Sequence, residues 1–368
     1  MFSKLFPRTP SLSVALQRDT EAICYRHGRM VGSAGHEDAR LHLRQRLQDI
    51  GCIPFAGDSL ELCYTWKKTR FCNLAGCLPG RNRNLAPILI GAHYDSVIPH
   101  PCADDNAAAV AIALQAGLRL AQEGPLERDV VIALFDAEEP PYFLSEGMGS
   151  VRFYEDHVQG IRDIHAAIVM DLVGHDVSVP MSLLSGLPLL GGLAEWIPGL
   201  SNRDMTLPGI GSALFVTGGE SHEEMAATLR ELGQPEGLKV VPTRNDYIGD
   251  MSDHGVFRRH GVPYYFLSCG QWRHYHAPTD TPDRLNYDKM ANITRYVVRL
   301  AGSLVRCSLE GRNGLEQTVE TLPLETGFLR TALGPLEKPL LSALGIDGLK
   351  TRQDMDRFVQ FLLSSGLG

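Results

Sequence analysis

No stretch of this 368-residue sequence approaches the apolar length of a membrane-spanning helix. A basic excess is also missing: 35 Lys and Arg stand against 43 Asp and Glu, a formal net charge of −8. Nucleic acid and anionic membrane both reward a positive face, so neither is expected as a partner. The first twenty residues, MFSKLFPRTPSLSVALQRDT, hold no apolar run long enough for the core of a secretory signal. The eight cysteines (Cys24, Cys52, Cys63, Cys72, Cys77, Cys102, Cys269 and Cys307) form no tight framework. Reduced thiols and a cytoplasmic location are therefore the expectation. Cys72 and Cys77 are spaced too widely for half of a zinc site and no second pair follows, so they read as strand residues. Internal repeats and low-complexity tracts are absent as well. What remains is 44% hydrophobic and 21% charged, a composition that buries a core and stays soluble.

Apolar runs of strand length alternate with helical patterns. A helix from about His36 to Ile50 ends at Gly51. Leu60–Lys67 and Arg70–Leu78 read as a strand pair. Ile88–Ala92 is wholly apolar, the mark of a strand buried on both faces. Asn106 is expected to cap a small-residue helix that runs to about Gln122 and stops at Gly124. Further strands are expected at Val130–Phe135, Ala166–Met170, Ala213–Val216 and Pro263–Cys269. Ser221 with Glu224 reads as a capping box opening a helix closed by Gly233. Met290, Ile293, Val297, Leu300 and Leu304 mark one face of a long helix. Such alternation implies an α/β fold, a mostly parallel central sheet flanked by helices on both faces. Val177–Ser212, broken by Pro and Gly, reads as packed loops. The strand pattern ends near Glu310, which divides the chain into an α/β domain (1–308) and a helical C-terminal extension (309–368).

Ligands of open α/β sheets bind beyond the carboxyl ends of the strands, and the metal-capable residues of this sequence fall there. His93 and Asp95 follow one apolar strand, Glu138 and Glu139 the next, and Asp171 comes directly after Met170. His276 lies beyond Cys269, and Asp104 and Asp105 precede the helix after Asn106. Taken singly, each has an ordinary reading: a hydrogen-bonded histidine, a solvated acid pair, a helix cap. Five segments delivering such residues to one sheet edge do not fit those readings together. Imidazoles and carboxylates are good zinc ligands, and two neighbouring ions can share a carboxylate. A carboxylate left unligated can then move the proton of an attacking water.

Six stretches carry a family resemblance: Gly91-Ala92-His93-Tyr94-Asp95-Ser96, Ala103-Asp104-Asp105-Asn106, Asp136-Ala137-Glu138-Glu139 with a later Gly149-Ser150, Met170-Asp171-Leu172-Val173-Gly174, Ser252-Asp253-His254, and Tyr275-His276-Ala277-Pro278-Thr279-Asp280-Thr281. In these, over roughly residues 20 to 307, the sequence resembles the co-catalytic zinc aminopeptidases. Relatives of that group include glutamate carboxypeptidase, glutaminyl cyclase and the transferrin receptor ectodomain. The resemblance implies a zinc-exopeptidase-like fold, two zinc ions and removal of N-terminal residues from peptide substrates through a metal-bridging hydroxide. It implies further that His93 and Asp171 hold one metal, Glu139 and His276 the other, and that Asp105 bridges them. Glu138 would be the general base, Asp95 would fix the ring of His93, and Tyr275 would hydrogen-bond the developing oxyanion. Asp253 and His254 would be supporting residues, not ligands.

Some positions depart from the family pattern. Cys102 stands where relatives often carry glycine, and Ala107-Ala108-Ala109 replaces a turn containing Ser and Gly. The segment Pro140–Met148 is longer than the link usual in plain aminopeptidases, as it is in glutaminyl cyclases. Tyr142 and Phe143 within it are expected to wall an apolar pocket. Cyclase chemistry is therefore the nearest alternative, followed by a carboxypeptidase or dipeptidase, although no arginine cluster accompanies the metal motifs. A non-catalytic binding protein would have lost ligands that are all present here. A serine hydrolase would need more than Ser221, whose surroundings lack the closing glycine of a nucleophile elbow, and Cys102 is explained equally well by packing.

Overall fold

The computed structural model describes residues 10–180, 204–205, 210–310 and 318–364. Its centre is a nine-stranded sheet. β1 (Ile53–Pro54) and β2 (Glu61–Trp66) both pair antiparallel with β3 (Thr69–Leu78), which pairs antiparallel with β5 (Val130–Phe135). Then come β4 (Ile88–His93), β6 (Ala166–Met170) and β11 (Tyr264–Ser268), parallel to one another and to β5. β9 (Ala213–Thr217) runs antiparallel to β11, and β10 (Lys239–Pro242) lies parallel to β9 at the edge. The expected parallel sheet is thus the central block β5–β4–β6–β11, with antiparallel strands on both sides. Two short strands, β7 (Val179–Pro180) and β8 (Asp204–Met205), pair separately. The rest of the expected loop region from Val177 to Ser212 falls largely outside the described residues.

β4, β5 and β6 are buried at every position, as their uninterrupted apolar sequences require. One face of the sheet is covered by α1 (Leu12–Glu21), α2 (Ala34–Ile50), α3 (Ala108–Glu123), α5 (Glu223–Leu232) and α7 (Tyr287–Leu304). Met290, Ile293, Val297, Leu300 and Leu304 of α7 are fully buried, and burying each such side chain stabilises the fold by roughly 1.5–3 kcal/mol before the cost of ordering. The opposite face carries α4 (Gly149–His157) and α6 (His254–Arg259), around an aromatic cluster of Phe135, Phe153 and Phe257. Beyond them α8 (Leu322–Leu333) packs on β10, followed by α9 (Glu337–Ala343) and α10 (Arg352–Ser364). Among the described residues from 318 to 364 the secondary structure is therefore helical, as the sequence pattern implies.

Three local expectations are corrected. Asn106 does not cap α3: its side-chain amide donates to the Met170 carbonyl (3.0 Å), joining the start of α3 to the end of β6. Ser221 does not cap α5. Residues Gly219–Ser221 first make a tight 3-10 turn, so the cap moves one residue to His222, whose ring accepts from the Glu224 amide (3.1 Å). The thiols are not all free either. Cys63 and Cys72 face one another across the β2–β3 hairpin and are joined by a disulfide. The turn at Lys67-Lys68, both with positive φ, sets that register, and sequence spacing alone does not reveal it. The other six cysteines are free.

Candidate metal centre

Parallel register brings the carboxyl ends of four strands to one edge: His93 of β4 stands beside Phe135 of β5, and Met170 of β6 beside Leu267 of β11. Residues just past those ends turn inward through unusual backbone. Cys102, Ala137, Leu172 and His276 all hold positive φ without being glycine. Left-handed residues of this kind cost energy and gather where a site dictates side-chain direction.

His93 is fully buried, and its Nδ1 lies 3.2 Å from Asp95 Oδ1. A carboxylate only accepts, so Nδ1 carries a proton and Nε2 is the ring nitrogen that faces the cluster. Asp95 also accepts the backbone amides of Glu138 and Glu139, each at 3.1 Å. One buried carboxylate thereby sets the tautomer of one candidate ligand and the turn that presents two others. His93 Nε2 is 3.4 Å from Asp105, 3.6 Å from Asp171 and 3.7 Å from Glu138. His276 Nε2 is 3.2 Å from the other oxygen of Asp105 and 3.4 Å from Glu139. Asp105 therefore sits between the two imidazoles. Its neighbour Asp104 points away, accepting the Gly174 amide and His175 Nδ1 at 2.6 Å each.

These residues fall into groups able to hold a cation: His93, Asp105 and Asp171; Asp105, Glu139 and His276; and His93 with Glu138 and Glu139. The fit is testable on the geometry. His93 Nε2, Asp105 Oδ2, Glu139 Oε1 and Asp171 Oδ1 are buried and make no hydrogen bond among the described residues. A buried polar atom without a partner is costly. Two ligands on one tetrahedral zinc, each bound at about 2.0–2.1 Å, stand about 3.3–3.4 Å apart, close to the separations found here. The residues present fit two cations sharing Asp105.

Electrostatics agree. Burial opposes charge on His93, yet the carboxylates of Glu138 and Asp171 hold its imidazole well above the usual range. Burial would lower His276 too, but Asp105 and Glu139 raise it to about 10. Asp105, despite burial, is held below the ordinary carboxylate range by the flanking His276 and His93. Burial lifts Glu139 to about 8, with repulsion from Asp105 adding to it. Glu138 is lifted well above its ordinary value, again chiefly by burial, against the pull of His93 and with repulsion from Asp171. Burial thus favours the protonated forms of Glu138 and Glu139, while Asp105 and the two imidazoles favour their charged forms; a divalent ion would displace the protons held here.

Residues that the sequence pattern undervalued hold this arrangement. Asp280 accepts the amides of Asp104 (2.9 and 3.1 Å) and Asp105 (3.2 Å), fixing the segment that carries the shared carboxylate. Arg29, fully buried, donates to the carbonyls of Ile23, Tyr94, Pro101 and Cys102. Carbonyl partners leave no trace in residue types, so nothing in the sequence marks Arg29, whereas Asp280 lies in the quoted His-Ala-Pro-Thr-Asp-Thr stretch. Asp253 is buried and outside the cation-binding groups. His254 lies at the start of α6 beside Asn245, its pKa depressed to about 4 by burial. Ser221 Oγ donates to the Gly218 carbonyl (2.5 Å), and burial pushes the Cys102 thiol up to about 12, so neither is a prepared nucleophile.

A cavity of about 390 Å³ opens from the cluster. Asp105, Glu138, Glu139, Asp171 and His276 lie in its wall together with Tyr275, whose ring stacks on His276 at 3.7 Å. Pro140 and Phe143 of the long segment also line it. Tyr142 does not, contrary to expectation: its ring stands edge-on to Phe71 (4.9 Å) and Trp66 (6.4 Å).

YfbL of Escherichia coli K12, an uncharacterized protein, is 30% identical over 231 residues, 58% of this chain and 65% of that relative. The chain thus matches just under two thirds of the relative's length. A leucine aminopeptidase precursor of Bacteroides thetaiotaomicron superimposes with a TM-score of 0.57 at 15% identity, covering 80% of this chain and 98% of that one. Glutaminyl cyclase of the same organism, bound to N-acetylhistamine, gives 0.53 at 15% identity, covering 80% and 99%. At such identities the likeness is one of fold. The family model named peptidase family M28 matches residues 73–188 and 195–301, and on that match, spanning more than half of its length, the chain belongs to peptidase family M28.

Proposed function

We propose that the protein is a metal-dependent aminopeptidase that removes bulky apolar residues from the N-termini of peptides. The observation that carries this reading is Asp105 between His93 and His276, with Glu138 beside the same cluster at the mouth of an apolar cavity. His93, Asp105 and Asp171 would hold one ion, and Asp105, Glu139 and His276 the other. Zinc ions bound there would polarise the scissile carbonyl and lower the pKa of water.

The remaining work falls to the chain. Glu138 takes a proton from the attacking water as its oxygen bonds to the carbonyl carbon. It then returns that proton to the leaving nitrogen as the C–N bond breaks. Burial of the Tyr275 phenol raises its pKa, so it stays protonated and donates to the carbonyl oxygen as charge develops. Carboxylates around the cluster suit a substrate amino group. No lysine or arginine lines the cavity among the described residues, which disfavours recognition of a C-terminal carboxylate.

Glutaminyl cyclisation is the second reading, favoured by the long Pro140–Met148 segment and by the cyclase fold noted above. Mass spectrometry separates the two on zinc-loaded protein and a peptide set that includes N-terminal glutamine. Chelator-sensitive loss of whole N-terminal residues is expected. Loss of ammonia alone from the glutamine peptides would make the protein a cyclase.

A further inference from the structure

The strands β9, β10 and β11 carry apolar residues on both faces. Leu214, Val216 and Val240 pack into the main core, while Phe215, Val241 and Phe266 line the cavity. A sheet with two apolar faces needs cover on both. On the cavity side the cover comes from the C-terminal extension. Leu329 of α8 and Met355, Phe358, Val359 and Leu362 of α10 form the wall opposite the strands. The cover is incomplete, and the space left between helices and sheet is continuous with the cluster of Asp105, Glu139 and His276.

Polar contacts fix that wall in place. Arg352, at the start of α10, donates from both Nη atoms to Glu325 of α8, at 2.9 Å each. It also donates to the Tyr247 hydroxyl (3.2 Å), which in turn donates to Asp356 (2.8 Å). Tyr247 follows β10 and itself lines the cavity. Glu325 is only 1% exposed, and its bidentate partner neutralises it, so the end of the cavity away from the metal cluster offers a substrate no free charge. These contacts lock the two helices to each other and to the loop after β10.

We infer that the C-terminal helices α8 and α10 are part of the substrate site, forming the far wall of the pocket that receives the first side chain and selecting a large apolar one. This rests on the aminopeptidase reading. A cavity of this size lies within the range of ligand pockets, about 300–1,000 Å³. Its two ends differ: carboxylates and the His276 imidazole at one, leucine, methionine, valine and phenylalanine at the other. A peptide whose amino group and first carbonyl lie at the polar end directs its first side chain toward the helices. Discrimination in such a pocket scales with the apolar surface that the wall supplies, about 10–200-fold per methylene.

The test compares kcat/KM on phenylalanyl-, leucyl- and alanyl-peptides for the full chain, Phe358→Ala and Leu362→Glu, with zinc content and melting temperature measured on each. Phe358 is fully buried, so its replacement also costs stability. Leu362 is only partly buried, and its replacement puts a carboxylate into the apolar wall with less harm to the core. The expected result is a fall of about tenfold or more in the leucyl-to-alanyl ratio in both variants, at unchanged zinc content. An equal loss on all three peptides, or an unchanged ratio in a folded Leu362→Glu variant, would overturn the inference alone. Failure of the unmodified protein to release any N-terminal residue would overturn the aminopeptidase reading and this inference together.

Discussion

The two ends of the cavity are built on opposite rules. At the metal end each polar atom has a dedicated position: Asp95 holds His93 and two amides, Asp280 holds Asp105, and Asp104 is occupied by His175. At the other end Leu329, Phe358 and Leu362 meet their surroundings through surface area alone. Directional contacts specify chemistry residue by residue, so a single substitution there changes what happens. Apolar area specifies only size and shape, so a substitution in the wall changes to which molecule it happens.

The sharpest way to break that contrast is at Asp105, the carboxylate between both imidazoles. Asp105→Ala should purify with less than stoichiometric zinc and turn over no faster than chelated protein. Full metal content by elemental analysis would remove the shared-carboxylate arrangement. Glu138→Gln should keep its metal and lose about 10²–10⁴ in kcat. Retained activity would take Glu138 out of proton transfer. Asp280→Asn sets an amide against the N–H groups of Asp104 and Asp105. Metal affinity, measured by competition with a chromophoric chelator, should weaken about 10–100-fold; unchanged affinity would make Asp280 a bystander. The smallest effects belong to the loop. Phe143→Ala should shift the preference among first residues by no more than about tenfold. Tyr142→Ala should leave preference alone and cost about 1 kcal/mol of stability, from its contacts with Phe71 and Trp66. A change of preference at Tyr142 would blur the boundary between loop and pocket.

The same contrast explains what was legible in the sequence. Strands buried on both faces announce themselves by unbroken apolar runs, so β4, β5 and β6 were readable to within a residue or so. Glycines at positive φ marked the ends of α2 and α5. The acids and histidines beyond the strands could be gathered on one edge because parallel topology leaves them no other. Elements defined by tertiary context were not readable. β10 is only four residues long and β9 runs against its neighbour, so neither the edge strand nor the cavity beside it has a local signature. The side chain of Asn106 serves β6, three segments away, and not the helix beside it. The extension was legible as helical, but what it covers depends on a sheet face supplied by residues about a hundred positions earlier.

The bonds of Asp95 carry a consequence for motion. The His93 ring and the Glu138 and Glu139 amides hang from one carboxylate that is itself fully enclosed. The ring of one candidate ligand and the backbone that carries two others are thus tied to a single anchor. That anchorage leaves this backbone less conformational freedom for an incoming ion to quench. Hydrogen exchange at the Glu138 and Glu139 amides therefore reports how readily this anchorage opens, in protein that never turns over a substrate.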